Sequence, residues 1–144
     1  MEPAGAPTRL LLQAGSETIL VVEDEAALRR MIQRALERFG YRVVLARSAP
    51  EALALWRDHA ADVDLLLTDL VMPGGLSGWD LAEHLRRDRP ELPILVMSGY
   101  DPEERVRGAD LDQADGSVPF LPKPYDVAEL IAAVRACLDG ARPG

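Results

Sequence analysis

Cysteine, lysine and long apolar runs are scarce in this chain of 144 residues, and each scarcity excludes a class of protein. The single cysteine, Cys137, cannot form an internal disulfide, which fits a reducing cytoplasm. No run approaches the ~18 apolar residues of a membrane span, and residues 10–12 are too short for a signal-peptide core. The net charge of −8 argues against a surface for nucleic acid or anionic membrane.

Lysine is rarer than the number of basic residues suggests. Fifteen of the sixteen basic residues are arginine, and the only lysine is Lys123. Codon composition explains the arginines, so a retained lysine indicates a position where a compact ammonium is not interchangeable with a guanidinium. Neither a G-x-G-x-x-G motif nor a P-loop follows the first predicted strand, which disfavours a nucleotide-binding protein.

The chain is organised around residues 63–73, which read V-D-L-L-L-T-D-L-V-M-P. The nearly continuous apolar run is typical of a strand that is buried on both faces of a parallel sheet. It ends on Asp69, and a Pro-Gly-Gly turn signal follows. An acid at this strand end lies where open α/β sheets keep their ligand crevice, although an Asp that merely caps a turn fits the stretch equally well.

Hydrophobic periodicity predicts strands that alternate with helices along the whole chain. The predicted strands cover residues 18–22, 41–46, 63–69, 92–97 and 118–121. The predicted helices are one whose apolar face runs from Leu28 to Phe39, two over residues 48–60 and 79–87, a segment beginning at Asp101 that Gly108 interrupts, and a last one over residues 126–140. The second helix should bury Leu53, Leu55 or Trp56, and Ala60. Three helix starts carry capping signatures, which are Ser48 with Glu51, Ser77 with Asp80, and Asp126 with Glu129. Residues 1–16 are predicted to be a disordered tail or linker, residues 17–140 the domain, and residues 141–144 a tail. The alternation predicts a doubly wound α/β domain with parallel strands and helices on both faces.

Polar residues follow the buried runs, and a parallel sheet would bring them together. Because all strand carboxyl ends meet at one edge, Glu23, Asp24, Asp69, Ser98 and Lys123 should surround one crevice. Clustered carboxylates favour a hard divalent cation such as Mg²⁺, while a hydroxyl and an ammonium suit phosphoryl oxygens. The set predicts transfer of a phosphoryl group onto Asp69 as nucleophile.

Each of these residues also has an ordinary structural explanation. The acids at 23–25 would suit the first turn of a helix, Ser98 is a common type of strand-end hydroxyl, and Lys123 could be a solvated loop charge. The joint arrangement favours a site, since each polar residue falls one to three positions after a buried run.

Four segments resemble the response-regulator receiver domain over about residues 17–139: I-L-V-V-E-D-E, L-L-L-T-D-L-V-M-P-G, V-M-S-G-Y and F-L-P-K-P-Y. The resemblance implies a flavodoxin-like (βα)5 fold with a five-stranded parallel sheet in the order 2-1-3-4-5. It implies that Asp69 is the phospho-acceptor. It also implies that Asp24 binds Mg²⁺ directly, Glu23 through water, and Val71 through its backbone carbonyl.

The resemblance further implies roles for Ser98 as the switch hydroxyl, Phe120 as the switch aromatic and Lys123 as the phosphate-pairing lysine. The donor would be a phosphohistidine on a histidine kinase or histidine phosphotransfer domain. The output would be the surface of the fourth predicted helix, the fifth strand and the last helix. The domain would be cytoplasmic, a monomer or weak dimer, without direct contact to nucleic acid or membrane. It would not be an enzyme beyond Mg²⁺-dependent self-phosphorylation and dephosphorylation.

This chain departs from the family pattern at several positions. Glu23 and Ser98 replace the more common Asp and Thr, Gly74–Gly75 lengthen the loop after Asp69, and Gly108 weakens the fourth helix. The sequence around residues 17–20 and 97–100 is similar to that of receivers carried by hybrid histidine kinases. A stand-alone receiver fits the sequence equally well.

Two other functions remain as alternatives. The stronger is a receiver-like interaction module that works without phosphorylation. A haloacid-dehalogenase-type phosphatase is less favoured, because it expects a second acid two residues after Asp69, where this chain has Val71.

Overall fold

A five-stranded parallel sheet forms the centre of the domain. The computed structural model describes residues 14–72, 74–98 and 118–140. The strands are β1 (Thr18–Val22), β2 (Arg42–Ala46), β3 (Leu65–Asp69), β4 (Ile94–Ser98) and β5 (Phe120–Pro122). Their spatial order is β2-β1-β3-β4-β5, and every neighbouring pair is parallel. The predicted fold class and strand order are therefore confirmed.

Helices cover both faces of the sheet. They are α1 (Ala26–Arg38), α2 (Ala49–His59), α3 (Gly78–Asp88) and α4 (Val127–Gly140). Helices α1 and α4 pack on one face, and α2 and α3 pack on the other. The predicted helix beginning at Asp101, residues 1–13 and the tail 141–144 lie outside the described residues. No helix in the described part is long and apolar enough to cross a bilayer.

The apolar runs of the central strands are explained by burial on two sides. In β1, Ile19 and Val21 join the core beneath α1 and α4, whereas Leu20 and Val22 join the core beneath α2 and α3. All five residues of β3 are buried. Because alternate side chains of a strand point to opposite faces, a strand covered on both sides needs apolar residues at nearly every position.

Four strands begin later than the apolar pattern predicts. Buried apolar residues precede the first residue of each of these strands, namely Tyr41, Val63, Leu92 and Val118. Their hydrophobicity reflects packing beneath the helices and not pairing in the sheet. An apolar run therefore marks burial more reliably than it marks the first hydrogen-bonded position.

Two helix starts carry the reciprocal caps that their sequences predict. At α3, the Ser77 hydroxyl accepts from the Asp80 N–H at 3.2 Å, and the Asp80 carboxylate accepts from the Ser77 N–H at 2.9 Å. At α4, Asp126 and Glu129 exchange equivalent bonds of 2.8 and 3.0 Å. Each such pair satisfies two backbone donors that a helix start leaves without partners.

The predicted capping box of α2 is only half formed. The Ser48 hydroxyl accepts from the Glu51 N–H at 3.3 Å. The Glu51 carboxylate accepts instead from the Arg47 N–H at 2.8 Å, and the Arg47 guanidinium lies 3.4 Å from it. A favourable charge pair with the preceding residue thus replaces the bond that Ser48 would have donated.

The buried face of α2 also differs from the prediction. Trp56 is buried as expected, but Leu53, Leu55 and Ala60 are only half-buried, at the margin of the core. Ala49 and Ala52 lie at the centre of the face, together with Trp56. Small side chains let the helix approach the sheet closely, so the leucines are displaced to its flanks.

A charged cluster joins the start and the end of the fold at the amino edge of the sheet. The Arg135 guanidinium on α4 donates to both Glu17 carboxylate oxygens, at 2.8 and 3.3 Å, and to the Tyr41 hydroxyl at 3.2 Å. These hydrogen bonds from Arg135 lower the pKa of Glu17 to about 2. The pair is largely shielded from solvent and spans 118 residues of sequence.

Candidate functional site

Three carboxylates meet at the carboxyl edge of the sheet, between β1 and β3. Glu23 and Asp24 follow β1, and Asp69 is the last residue of the adjacent β3. One carboxylate oxygen from each residue lies within 4.8 Å of the others. Glu23 is 1% exposed and Asp69 is 8% exposed, while Asp24 lies open to solvent.

The loop after β1, and not the first turn of a helix, holds these acids. Helix α1 begins at Ala26, and its first turn contains no acid. The Glu23 carboxylate accepts from the Glu25 N–H at 3.0 Å, and the Arg29 guanidinium donates to the Glu23 carbonyl at 2.9 Å. The alternative that places the acids at 23–25 in the first turn of a helix is therefore wrong.

Lys123 reaches this cluster from β5, on the far side of β4. Its ammonium lies 3.2 Å from Asp69 Oδ2 and 3.3 Å from Glu23 Oε1. Its backbone N–H donates to the carbonyl of Ser98 at 2.8 Å, which places the ends of β4 and β5 side by side. The Lys123 side chain is 27% exposed, so it is not a solvated loop charge.

The backbone around Asp69 is held from several directions. Asp69 Oδ1 accepts from the Leu70 N–H at 2.8 Å, which leaves Oδ2 facing Lys123. The Thr68 hydroxyl donates to the Asp69 carbonyl at 2.8 Å. Gly78 packs directly on this backbone, because a methyl group at Gly78 would lie 2.3 Å from the Asp69 carbonyl oxygen.

Gly78 also closes the loop after Asp69, and sequence reasoning did not identify it. Its N–H donates to the Leu70 carbonyl at 2.9 Å. Within the loop, Gly74 and Gly75 adopt φ angles of 102° and 84°, which favour glycine. The one signal available in the sequence was a glycine directly after the N-cap Ser77, where other small residues would also serve.

Burial and mutual repulsion set the electrostatics of the cluster. Burial raises the pKa of Asp69 against the opposing effect of Lys123. Burial also raises the pKa of Glu23, and the charge of Asp69 adds to that increase. Burial would lower the pKa of Lys123, but the charges of Asp69 and Glu23 outweigh it and raise that pKa.

The donor set fits a hard divalent cation. Three carboxylates face a single ammonium among the described contacts, so negative charge is in excess at this edge. All the candidate ligand atoms are oxygens, which Mg²⁺ prefers. Val71, whose carbonyl is a further predicted ligand, lies two residues after Asp69 in the same loop.

Ser98 and Phe120 lie on the same face of the sheet. Ser98 is the last residue of β4 and is 8% exposed. It lies two positions after Val96, so the two side chains point to the same face, and Val96 pairs with Phe120 on β5. Val96 belongs to the core beneath α2 and α3. Phe120 is half-buried and contacts Trp79 edge to face, with ring centroids 5.5 Å apart and ring planes at 72°. From the sequence, Trp79 was expected only to begin a helix.

A basic groove runs along α1 towards the start of α4. Arg30, Arg34 and Arg38 line it at intervals of four residues, and its volume is about 510 Å³. Met31 and the partly exposed Val127 contribute apolar lining. Within the described residues, the three guanidiniums make no salt bridge.

The sequence of this chain is similar to those of known signalling proteins. The family described as response regulator receiver domain matches residues 19–135. The chain is 41% identical to the DNA-binding transcriptional regulator NtrC of Rhizobium meliloti over 122 residues, which is 84% of this chain and 24% of NtrC. It is 36% identical to the sensor kinase CckA of Brucella abortus, covering 88% of this chain and 13% of CckA.

Solved structures show the same fold. A response regulator receiver domain protein from Clostridium thermocellum superimposes with a TM-score of 0.75 at 27% identity, covering 86% of this chain and 95% of that one. The chain therefore corresponds to a whole solved domain, whereas it spans a quarter or less of NtrC and CckA.

Proposed function

Because the chain belongs to the response regulator receiver domain family, we propose that Asp69 accepts a phosphoryl group from a phosphohistidine on a histidine kinase or histidine phosphotransfer domain. The observation that carries this proposal is the position of Asp69 Oδ2. It lies 3.2 Å from the Lys123 ammonium, at the rim of a cluster of three carboxylates. The family is a signalling family and not an enzyme family in itself.

In the proposed step, a carboxylate oxygen of Asp69 attacks the phosphorus of the donor. A P–O bond forms while the P–N bond to the donor imidazole breaks, and the bonding electron pair stays on that nitrogen. The Lys123 ammonium, already 3.2 Å from Asp69, stabilises charge on the phosphoryl oxygens. Ser98 is proposed to donate its hydroxyl to one of the same oxygens.

We propose that Glu23, Asp24, Asp69 and the Val71 carbonyl hold Mg²⁺. When bound, the ion neutralises charge between the carboxylates and the incoming phosphoryl oxygens. The excess of carboxylates over ammonium groups supports this assignment. The exposure of Asp24 supports it as well, because an exposed carboxylate can reach a hydrated ion without losing its own solvation.

The proposed output follows from Ser98 and Phe120 sharing one sheet face. Movement of Ser98 towards the new phosphoryl group frees space, and Phe120 rotates into it. The rotation changes the surface formed by β5, α4 and the predicted helix that begins at Asp101. One local charge event is thereby converted into a different contact surface.

The basic groove is the proposed docking surface for the donor. A second pocket, of about 420 Å³, is lined by Leu28 of α1 and by Lys123, Pro124 and Tyr125. Three guanidiniums on a chain of net charge −8 favour a partner with acidic side chains beside an apolar stripe. A helical donor with that pattern would bring its phosphohistidine towards Lys123.

The central experiment is labelling with acetyl phosphate and Mg²⁺, followed by intact-mass measurement. The native protein should gain one phosphoryl group, and Asp69→Asn should gain none. Asp62→Asn, at an exposed aspartate outside the cluster, is the matched control and should label normally. Labelling that survives Asp69→Asn would move the acceptor elsewhere, and a folded native protein that never labels would favour an interaction module that works without phosphorylation.

Several expectations remain predictions. They are the domain boundaries at residues 17–140, a cytoplasmic location, and a monomeric or weakly dimeric form. The domain is expected to act either alone or within a hybrid histidine kinase. The match to the sensor kinase CckA and the match to the regulator NtrC support these two arrangements equally. Size-exclusion chromatography with and without beryllium fluoride would test the oligomeric form.

A further inference from the structure

Trp79 occupies a position that connects the acceptor loop with the switch aromatic. It is 2% exposed, stands in the first turn of α3, and contacts the Phe120 ring edge to face at 5.5 Å. We propose that Trp79 is a positioning residue that holds Phe120 in its unphosphorylated arrangement, so that switching must break the contact between the two rings. This inference deepens the proposed phospho-acceptor function and depends on it.

The sheet register brings the switch residues to the same side as Trp79. Phe120 pairs with Val96, and Ser98 lies two positions further along β4 on the same face. Trp79 belongs to the core cluster beneath that face. A rotation of Phe120 towards Ser98 therefore changes its geometry relative to the indole of Trp79, which is fixed by close packing on all sides.

The backbone beside Trp79 is attached to the acceptor loop. The N–H of the preceding residue, Gly78, donates to the carbonyl of Leu70 at 2.9 Å, and Gly78 packs on the carbonyl of Asp69. A change at Asp69 can therefore reach Phe120 through Gly78 and Trp79 without passing through Ser98. Coupling of this kind needs an element that both sites bias, and the pair of rings provides it.

The size of the effect follows from the energetics of aromatic pairs. A contact that forms only in the unphosphorylated arrangement shifts the equilibrium away from the activated arrangement. The size of that shift is the whole free energy of the contact. For an edge-to-face pair, removal should tighten the binding of beryllium fluoride with Mg²⁺ by about 2- to 10-fold. Trp79→Leu removes the ring contact while keeping an apolar side chain, and Trp79→Phe keeps a smaller ring and should show an intermediate effect.

The experiment is fluorine NMR on protein labelled with 4-fluorophenylalanine. The chain contains two phenylalanines, so two resonances are expected, and Phe39→Leu assigns the signal of Phe120. Spectra are recorded for the native protein, Trp79→Leu, Trp79→Phe and Trp56→Phe, with and without beryllium fluoride and Mg²⁺. Trp56 is the matched control, because it lies in the same core cluster at 4% exposure and bonds to Asp88 instead.

The proposal expects the free Trp79→Leu protein to show the Phe120 resonance displaced towards its activated position, with tighter beryllium fluoride binding. Trp56→Phe should leave both unchanged. A Phe120 resonance and an affinity that do not respond to either Trp79 variant would overturn the proposal, as would weaker binding. If Trp79→Leu does not fold, Trp79→Phe decides. If acetyl phosphate does not label the native protein, the proposed function is overturned instead.

Discussion

The acid cluster should make the stability of this domain depend strongly on Mg²⁺. Three carboxylates lie within 4.8 Å of one another, and two of them are nearly buried. A cation that binds only the folded protein at one hundred times its dissociation constant contributes about 2.7 kcal/mol. For a domain of this size, that free energy raises the melting temperature by roughly 10 °C.

The informative variant is Asp24→Asn, since Asp24 is exposed and its substitution leaves the buried pair intact. Loss of one charged ligand that weakens the ion tenfold would leave about 1.4 kcal/mol at the same Mg²⁺ concentration, which is half the native increase. Thermal unfolding followed by circular dichroism measures both proteins, with NaCl added to matched ionic strength. Equal increases in the native protein, Asp24→Asn and Asp69→Asn would refute the assignment of these carboxylates.

The same cluster fixes the sign of the pH dependence without Mg²⁺. Burial raises the pKa of Asp69 and of Glu23, so each folded carboxyl binds a proton at a higher pH than it does in the unfolded chain. Their contribution to stability therefore increases as the pH falls through the raised values. Asp69→Asn should reduce this increase in EDTA, which denaturant unfolding at several pH values would measure.

Two further predictions concern substitutions at residues that are not proposed metal ligands. Gly78→Ala should destabilise the fold by about 1–3 kcal/mol and slow labelling of Asp69 by acetyl phosphate, because the added methyl displaces the Asp69 carbonyl. Gly140→Ala, whose added methyl meets no atom within 4 Å, is the control for both measurements. Glu17→Gln should cost about 2 kcal/mol at neutral pH. Because the pKa of Glu17 is lowered to about 2, this difference should disappear as the pH falls from about 5 towards that value, and a pH-independent difference in denaturant unfolding would contradict the role of its charge.

The sequence predicted the strand ends well because the relevant signals are local. The apolar run before Asp69 ends where β3 ends, and the caps at Ser77 and Asp126 form as their spacing indicates. Once parallel order is known, the position of an acid or lysine after a buried run determines its edge of the sheet. The contact of Lys123 with Asp69 therefore agrees with the spatial arrangement that the sequence suggested.

The packing contacts of Trp79, Trp56 and Gly78 were not predictable. Nothing in the residue pattern distinguishes Trp79, which contacts Phe120, from Trp56, which bonds to Asp88. The close approach of Gly78 to Asp69 depends on the angle at which α3 meets the loop. Such contacts are set by packing across several elements, and hydrophobic periodicity describes only which face of each element is buried.

The bond between Glu17 and Arg135 has a consequence for how this domain can be joined to other chains. It holds β1 and α4 together at the amino edge of the sheet. The two ends of the domain, at residues 17 and 140, therefore lie on the side of the sheet opposite the carboxylates. A carrier protein could thus accept residues 17–140 within one of its own surface loops, with little separation between the two splice points. In such a chimera the rim around Asp69 would face outwards, unobstructed by its host.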